Sequence, residues 1–299
     1  MERGFVMPYV VVGRENTGDI RIHYEDHGAG PPVVLVHGYL ADGRSWEKQE
    51  AALLMAGYRV ISYDRRGGGD SSRPAVGYDY DTLAADLNTL LEVLDVLDAV
   101  LVGCCSGTGE LTRYLGTYGQ RRVRGAALLA PLPPFLPRSD ANPEGIARGV
   151  LDAFLGELSA DRPAAIKAYL DRYYNIDYYN IDYYNTDYRD TDLLGGSRVS
   201  DQAWQNSFHV ALRVSAVAAL GCAVAWREDF RDDVARITIP VLIVQGAQDR
   251  VLPPGATGNR LAVMLADARL AVIPDGGHAI TWTHAAQVNQ LLVGFLQAL

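Results

Sequence analysis

The residues best placed to do chemistry in this 299-residue chain read Gly103-Cys104-Cys105-Ser106-Gly107. That spacing is a nucleophile elbow, a sharp strand-to-helix turn that holds its central residue in a strained conformation while the outer glycines keep side chains from colliding. Cysteine stands where serine is usual, so the chemistry is attack by a thiolate on an acyl carbon. Ser106 is a second candidate nucleophile, but it would put Cys104 and Thr108 at the flanking positions, where the turn tolerates side chains badly. A plainer reading makes Cys105 a small buried filler of the core.

An elbow needs a base and an acid. Asp249 follows the apolar run Ile239–Gly246, and His278 follows a second run, Arg269–Pro274, so both fall on loops just past strand ends. Cys105, His278 and Asp249 are therefore the expected catalytic residues, with Asp249 orienting the imidazole. Asp275 is a rival acid, but it sits in the Gly-rich turn Asp275-Gly276-Gly277 and reads better as a turn former. The buried run Pro31–Val36 leads into His37-Gly38-Tyr39, where the glycine lets the backbone bend. The backbone N–H groups of Tyr39 and Ser106 are the expected oxyanion hole, and His37 is expected to brace the loop.

The elements that must hold these residues are legible as well. Asp98–Val102 suits a buried strand entering the elbow, and Gly109–Leu115 repeats apolar residues at helical spacing beyond it. Met1–Val12 contains Pro8 and lacks a cleavage site, and reads as an edge strand. Between residues 132 and 226 the sheet pattern is interrupted by a proline-rich entry and a helical body. Residues 1–131 and 227–299 are accordingly expected to form one core domain, with 132–226 inserted as a cap.

Taken together, His37-Gly38-Tyr39, Ser45-Trp46-Glu47, Asp64-Arg65-Arg66-Gly67, Gly103 through Glu110 with Arg113-Tyr114, Ala130-Pro131, Glu228 through Arg231, Asp249 through Pro253 and Gly277-His278 with Trp282-Thr283-His284 resemble the cofactor-free haloperoxidase/esterase branch of the α/β-hydrolases. The likeness runs from about residue 20 to the C-terminus, and the order nucleophile, acid, histidine is the one used on that fold. It implies an α/β class, with an eight-stranded, mostly parallel sheet wrapped by helices and a helical cap after the sixth strand. It also implies acyl chemistry without a cofactor, and the thiolate extends the expected substrate to a small-molecule ester or thioester.

Two features depart from that branch. Serine is its usual nucleophile, and some members pass the acyl group to hydrogen peroxide. A reactive thiolate is itself oxidised by peroxide, so haloperoxidase activity is not expected here. A thioester intermediate reacts readily with amine and carbon nucleophiles, which keeps transfer or cyclisation on a carrier-bound chain open beside hydrolysis. A serine esterase bearing a Ser→Cys replacement and a non-catalytic ligand-binding member of the fold also stay open. The second departure is Tyr173–Asp192, a tandem five-residue repeat beginning Tyr-Tyr-Asn-Ile-Asp and holding seven tyrosines. Its period matches neither helix nor strand, so turns or broken helix are expected, lining the entrance or contacting a second subunit, unless it is slippage tolerated on a surface.

Composition narrows the alternatives. A net charge of −9 with no basic stripe argues against nucleic acid as a partner. Three cysteines, two of them adjacent, suit a reducing cytoplasm rather than a disulfide framework. Val214–Trp226 is too short for a bilayer, no phosphate-loop or metal spacing occurs, and a homo-oligomer is compatible with the resemblance.

Overall fold

The computed structural model describes residues 8–176 and 199–299. Its strands are β1 (Tyr9–Glu15), β2 (Gly18–His27), β3 (Pro32–Val36), β4 (Arg59–Tyr63), β5 (Ala99–Cys104), β6 (Val123–Leu129), β7 (Val241–Gly246) and β8 (Ala268–Ile273). They form an eight-stranded sheet in the order β1-β2-β4-β3-β5-β6-β7-β8. The first two pairings are antiparallel and the rest parallel. The helices are α1 (Glu47–Met55), α2 (Tyr80–Val93), α3 (Ser106–Thr117), α4 (Arg148–Ala160), α5 (Arg162–Tyr173), α6 (Asp201–Arg213), α7 (Ala216–Ala225), α8 (Arg231–Val234), α9 (Gly258–Met264), α10 (Ile280–Thr283) and α11 (Ala285–Ala298). This is the α/β-hydrolase architecture.

Sequence explains the central strands directly. Every residue of β5 and β7 is buried, as is all of β3 after Pro32, because helices cover both faces of a parallel sheet. Their runs of Val, Leu and Ile suit that setting. Edge strand β8 instead leaves Leu270 and Val272 partly open. Helix starts are set by side-chain caps: Asp79, Asp161, Ser200 and Ser215 each accept a backbone N–H from three residues on.

Strand order reverses at β3, which has β4 on one side and β5 on the other. Ligands on such sheets bind beyond the carboxyl ends of the strands at this switch point. Register places Val36 beside both Tyr63 and Gly103, so the loops leaving β3, β4 and β5 start level with one another. Helices α4 to α7 lie in the excursion between β6 and β7. Among the described residues no single helix is long and apolar enough to cross a membrane, and α6 and α7 reach that length together only across a 96° bend. Of the five-residue repeat, Tyr173 ends α5 and 174–176 form a turn, while the expectation for residues 177–192 falls outside the described residues.

Candidate active site

Cys105 stands alone between the end of β5 and the start of α3, with φ 53° and ψ −127°. A side-chain-bearing residue holds such a conformation only where its surroundings over-determine it. Here Cys105 N–H donates to Leu129 O at 3.0 Å and Cys105 O accepts Thr108 N–H at 3.0 Å. Three chain segments also meet at backbone contact. A Cβ added at Gly103 would lie 3.1 Å from Gly107 C, one at Gly107 would collide with Val36 O and lie 2.6 Å from His37 O, and one at Gly38 would lie 2.9 Å from Cys105 Cβ. Ser106, the rival nucleophile, is already in the first turn of α3, where its Oγ is held by Arg65 Nη1 at 3.0 Å.

Asp249 follows β7, and all of its contacts point to a fixed carboxylate. Oδ1 accepts the N–H groups of Val251 at 2.9 Å and Leu252 at 2.8 Å, and Oδ2 accepts Gln245 Nε2 at 3.2 Å and His278 Nδ1 at 2.7 Å. With its proton on Nδ1, His278 keeps Nε2 for chemistry. That atom is buried and has no hydrogen-bond partner among the described residues. Burial alone would lower the imidazole, but the charges of Asp249 and Cys105 outweigh it and raise its pKa from 6.5 to about 10. Burial likewise pushes the Cys105 thiol up, and His278 together with the backbone N–H groups of Tyr39 and Ser106 more than offsets it, so the net direction is down. Both directions favour a thiolate beside an imidazolium. Asp275 is elsewhere, 3.4 Å from His284 Nε2 on an exposed turn.

Beneath the elbow lies a buried charged layer. Arg65 Nε is 2.7 Å from Glu110 Oε2, an ion contact without hydrogen-bond alignment, and Tyr63 donates its hydroxyl to Glu110. Burial, opposed by Arg65, lifts the Glu110 carboxyl from 4.5 to about 7. Arg66 is paired at both ends with Asp86, at 2.6 and 2.7 Å. His37 donates from Nδ1 to Gly38 O at 2.8 Å and accepts Arg65 N–H on Nε2 at 2.9 Å, tying the loops after β3 and β4 together. Burial and then Arg65 lower its pKa to about 4, so it is a neutral brace. His23, Asp64 and Asp70 approach with metal-like spacing, yet Asp64 commits both oxygens to the N–H groups of Gly43 and Asp70.

A cavity of about 80 Å³ adjoins this assembly, lined mainly by the loop after β3, by α5 and α6, and by Cys104, Thr281 and Trp282. The sulfur of Cys105 is not part of that lining, and the residue is 2% exposed. Tyr169 belongs to both places: its ring lines the cavity and its hydroxyl is 3.9 Å from Cys105 Sγ. It packs with Tyr39, Phe154, Tyr173 and Trp226, and Tyr173 lies edge-on to the His278 ring at 5.2 Å. Sequence reasoning missed Tyr169. Its signal was the i, i+4 pair with Tyr173 on one helix face.

Comparison with known proteins agrees with this fold. The model of the alpha/beta hydrolase fold family matches residues 31–285. A Synechocystis sp. protein named "Putative non-heme chloroperoxidase" is 50% identical, over 97% of this chain and 100% of its own. Among solved structures, a bromoperoxidase from Bacillus anthracis superposes with a TM-score of 0.86 at 36% identity, over 97% of this chain and 99% of that one. An esterase from Exiguobacterium antarcticum superposes with a TM-score of 0.85 at 27% identity, over the same 97% and 99%. The chain belongs to the α/β-hydrolase family and is an enzyme of that fold.

Proposed function

We propose that this enzyme transfers acyl groups from small-molecule esters or thioesters through Cys105, His278 and Asp249. The thiolate attacks the acyl carbon, and the oxyanion that develops is received by the N–H groups of Tyr39 and Ser106. His278, protonated at the start, gives its Nε2 proton to the departing alkoxide or thiolate, leaving a thioester on Cys105. It then takes a proton from water or another acceptor as that group attacks, and the thiolate departs. Asp249 holds the imidazole in the tautomer that both steps need.

One observation carries the reading: Cys105 stands at the strained turn between β5 and α3, and a fully buried His278–Asp249 pair at 2.7 Å is set on the loops after β8 and β7. The esterase and haloperoxidase relatives support acyl chemistry, and the cysteine adds susceptibility to peroxide. Residues 132–226 are read as the cap, because its α5 reaches the sulfur. Transfer to an amine or carbon acceptor is the second reading, favoured by the near-complete burial of Cys105, which limits water around a thioester.

The test is a p-nitrophenyl ester assay with intact-mass analysis. The parent protein gains the acyl mass on Cys105, and Cys105→Ala loses that adduct with at least about 10³ of the turnover. Unchanged turnover in Cys105→Ala overturns the assignment.

A further inference from the structure

The hydroxyl of Tyr169 is an unusual thing to bury. The residue is 5% exposed, its ring is enclosed by four other aromatic side chains, and among the described residues its hydroxyl has one hydrogen-bond partner, Cys105 Sγ at 3.9 Å. A tyrosine kept only for its ring would do as well as phenylalanine and avoid the cost of desolvating a hydroxyl. Neighbouring Tyr39 and Tyr174 illustrate the usual solution, donating to Ala219 O at 2.7 Å and pairing with Ser207 Oγ at 2.8 Å. Tyr169 is aimed at the reacting atom instead.

We propose that Tyr169 is a further catalytic residue, its O–H donating to the sulfur of Cys105 in the resting enzyme. The inference rests on Cys105 being the nucleophile and assigns a role to the insertion between β6 and β7, from which neither the triad nor the amide donors come. The direction of donation follows from chemistry. Burial raises the Tyr169 phenol well above 10, so it keeps its proton, while the thiol is lowered and accepts. No covalent bond changes in this step; the hydrogen bond lowers the energy of the charged sulfur, which favours thiolate over thiol. Tyr169 also lines the adjoining cavity, so it joins that space to the sulfur.

Tyr169→Phe removes one oxygen and keeps the ring. The measurements are the rate of iodoacetamide alkylation of Cys105 against pH, p-nitrophenyl ester kinetics, and the thermal midpoint as a check on packing. We expect the alkylation midpoint to rise by about one pH unit and kcat to fall about tenfold with KM within about twofold, as for loss of a hydrogen bond to a charged group. An alkylation profile superimposable on the parent's overturns the role, and so does a fall in kcat with no shift of that profile, since lost packing alone would account for it. Cys105→Ala run in parallel separates the two levels of failure. Turnover that survives there condemns the nucleophile itself, whereas turnover lost there beside an unshifted Tyr169→Phe profile condemns Tyr169 alone.

Discussion

Replacing Asp249 by asparagine removes one charge from a site that has little water to compensate for it. The carboxylate lies 2.7 Å from His278 Nδ1, and both residues have fully buried side chains. The rise of the imidazole from 6.5 to about 10 corresponds to about 5 kcal/mol in favour of its charged form. Asp249 is the largest of the contributions that raise it. A hydrogen bond to a charged group is worth up to about 2–3 kcal/mol. Losing that much costs about 10² in rate. Asparagine does further harm, because its Oδ1 is needed by the amides of Val251 and Leu252, which turns the Nδ2 donor toward the imidazole. The ring proton is then driven to Nε2, where it blocks acceptance of a proton. A wrong tautomer of this kind lowers turnover by about 10⁴ in the serine-protease triad, so the expected loss in kcat lies between about 10² and 10⁴. Iodoacetamide alkylation across pH reads the same event separately, its midpoint moving up toward the ordinary thiol range near 8.5. Turnover within about threefold of the parent, together with an unmoved alkylation midpoint, would refute the ion-pair argument.

The remaining predictions concern the frame that holds the site. His37, lowered to about 4, contributes stability that is complete above its unfolded value of 6.5 and lost as pH falls toward 4, about 3 kcal/mol in all. Glu110, raised to about 7, runs the opposite way, with its contribution complete below 4.5 and lost as pH rises through 7, so denaturant melts should show His37→Gln losing about 3 kcal/mol less than the parent between pH 7 and 4; equal losses refute the assignment. Gly107→Ala sets a methyl against the carbonyl oxygens of Val36 and His37, which cannot swing aside, and should lower the unfolding free energy by at least about 3 kcal/mol or prevent folding. An unfolding free energy within about 1 kcal/mol of the parent's would show that the loops do not pack this closely.

Much of the fold was readable because β3, β5 and β7 are buried on both faces and therefore spell out continuous apolar runs. The strand before Asp249 begins at Val241 rather than Ile239, since Pro240 has no N–H to offer the ladder. The loop residues were readable for another reason: Asp249 and His278 each follow a strand end, where the chain must turn anyway. Partners across long stretches of sequence were not. Arg65 pairs with Glu110 on α3, a choice made by the register of β3, β4 and β5 and not by any local pattern. Tyr169 was hidden in the same way, because an amphipathic helix shows which residues turn inward and not which atom they meet.

The first copy of the Tyr-Tyr-Asn-Ile-Asp unit is moored to the body of the molecule. Tyr173 O takes the N–H of Ala279, Tyr174 pairs with Ser207, and Asn175 Nδ2 donates to Gln248 O at 3.0 Å. All three moorings are made by residues 173–175. The opening residues of the repeat thus hold α5 against the loops after β7 and β8, so a deletion that took away this first unit would remove all three contacts.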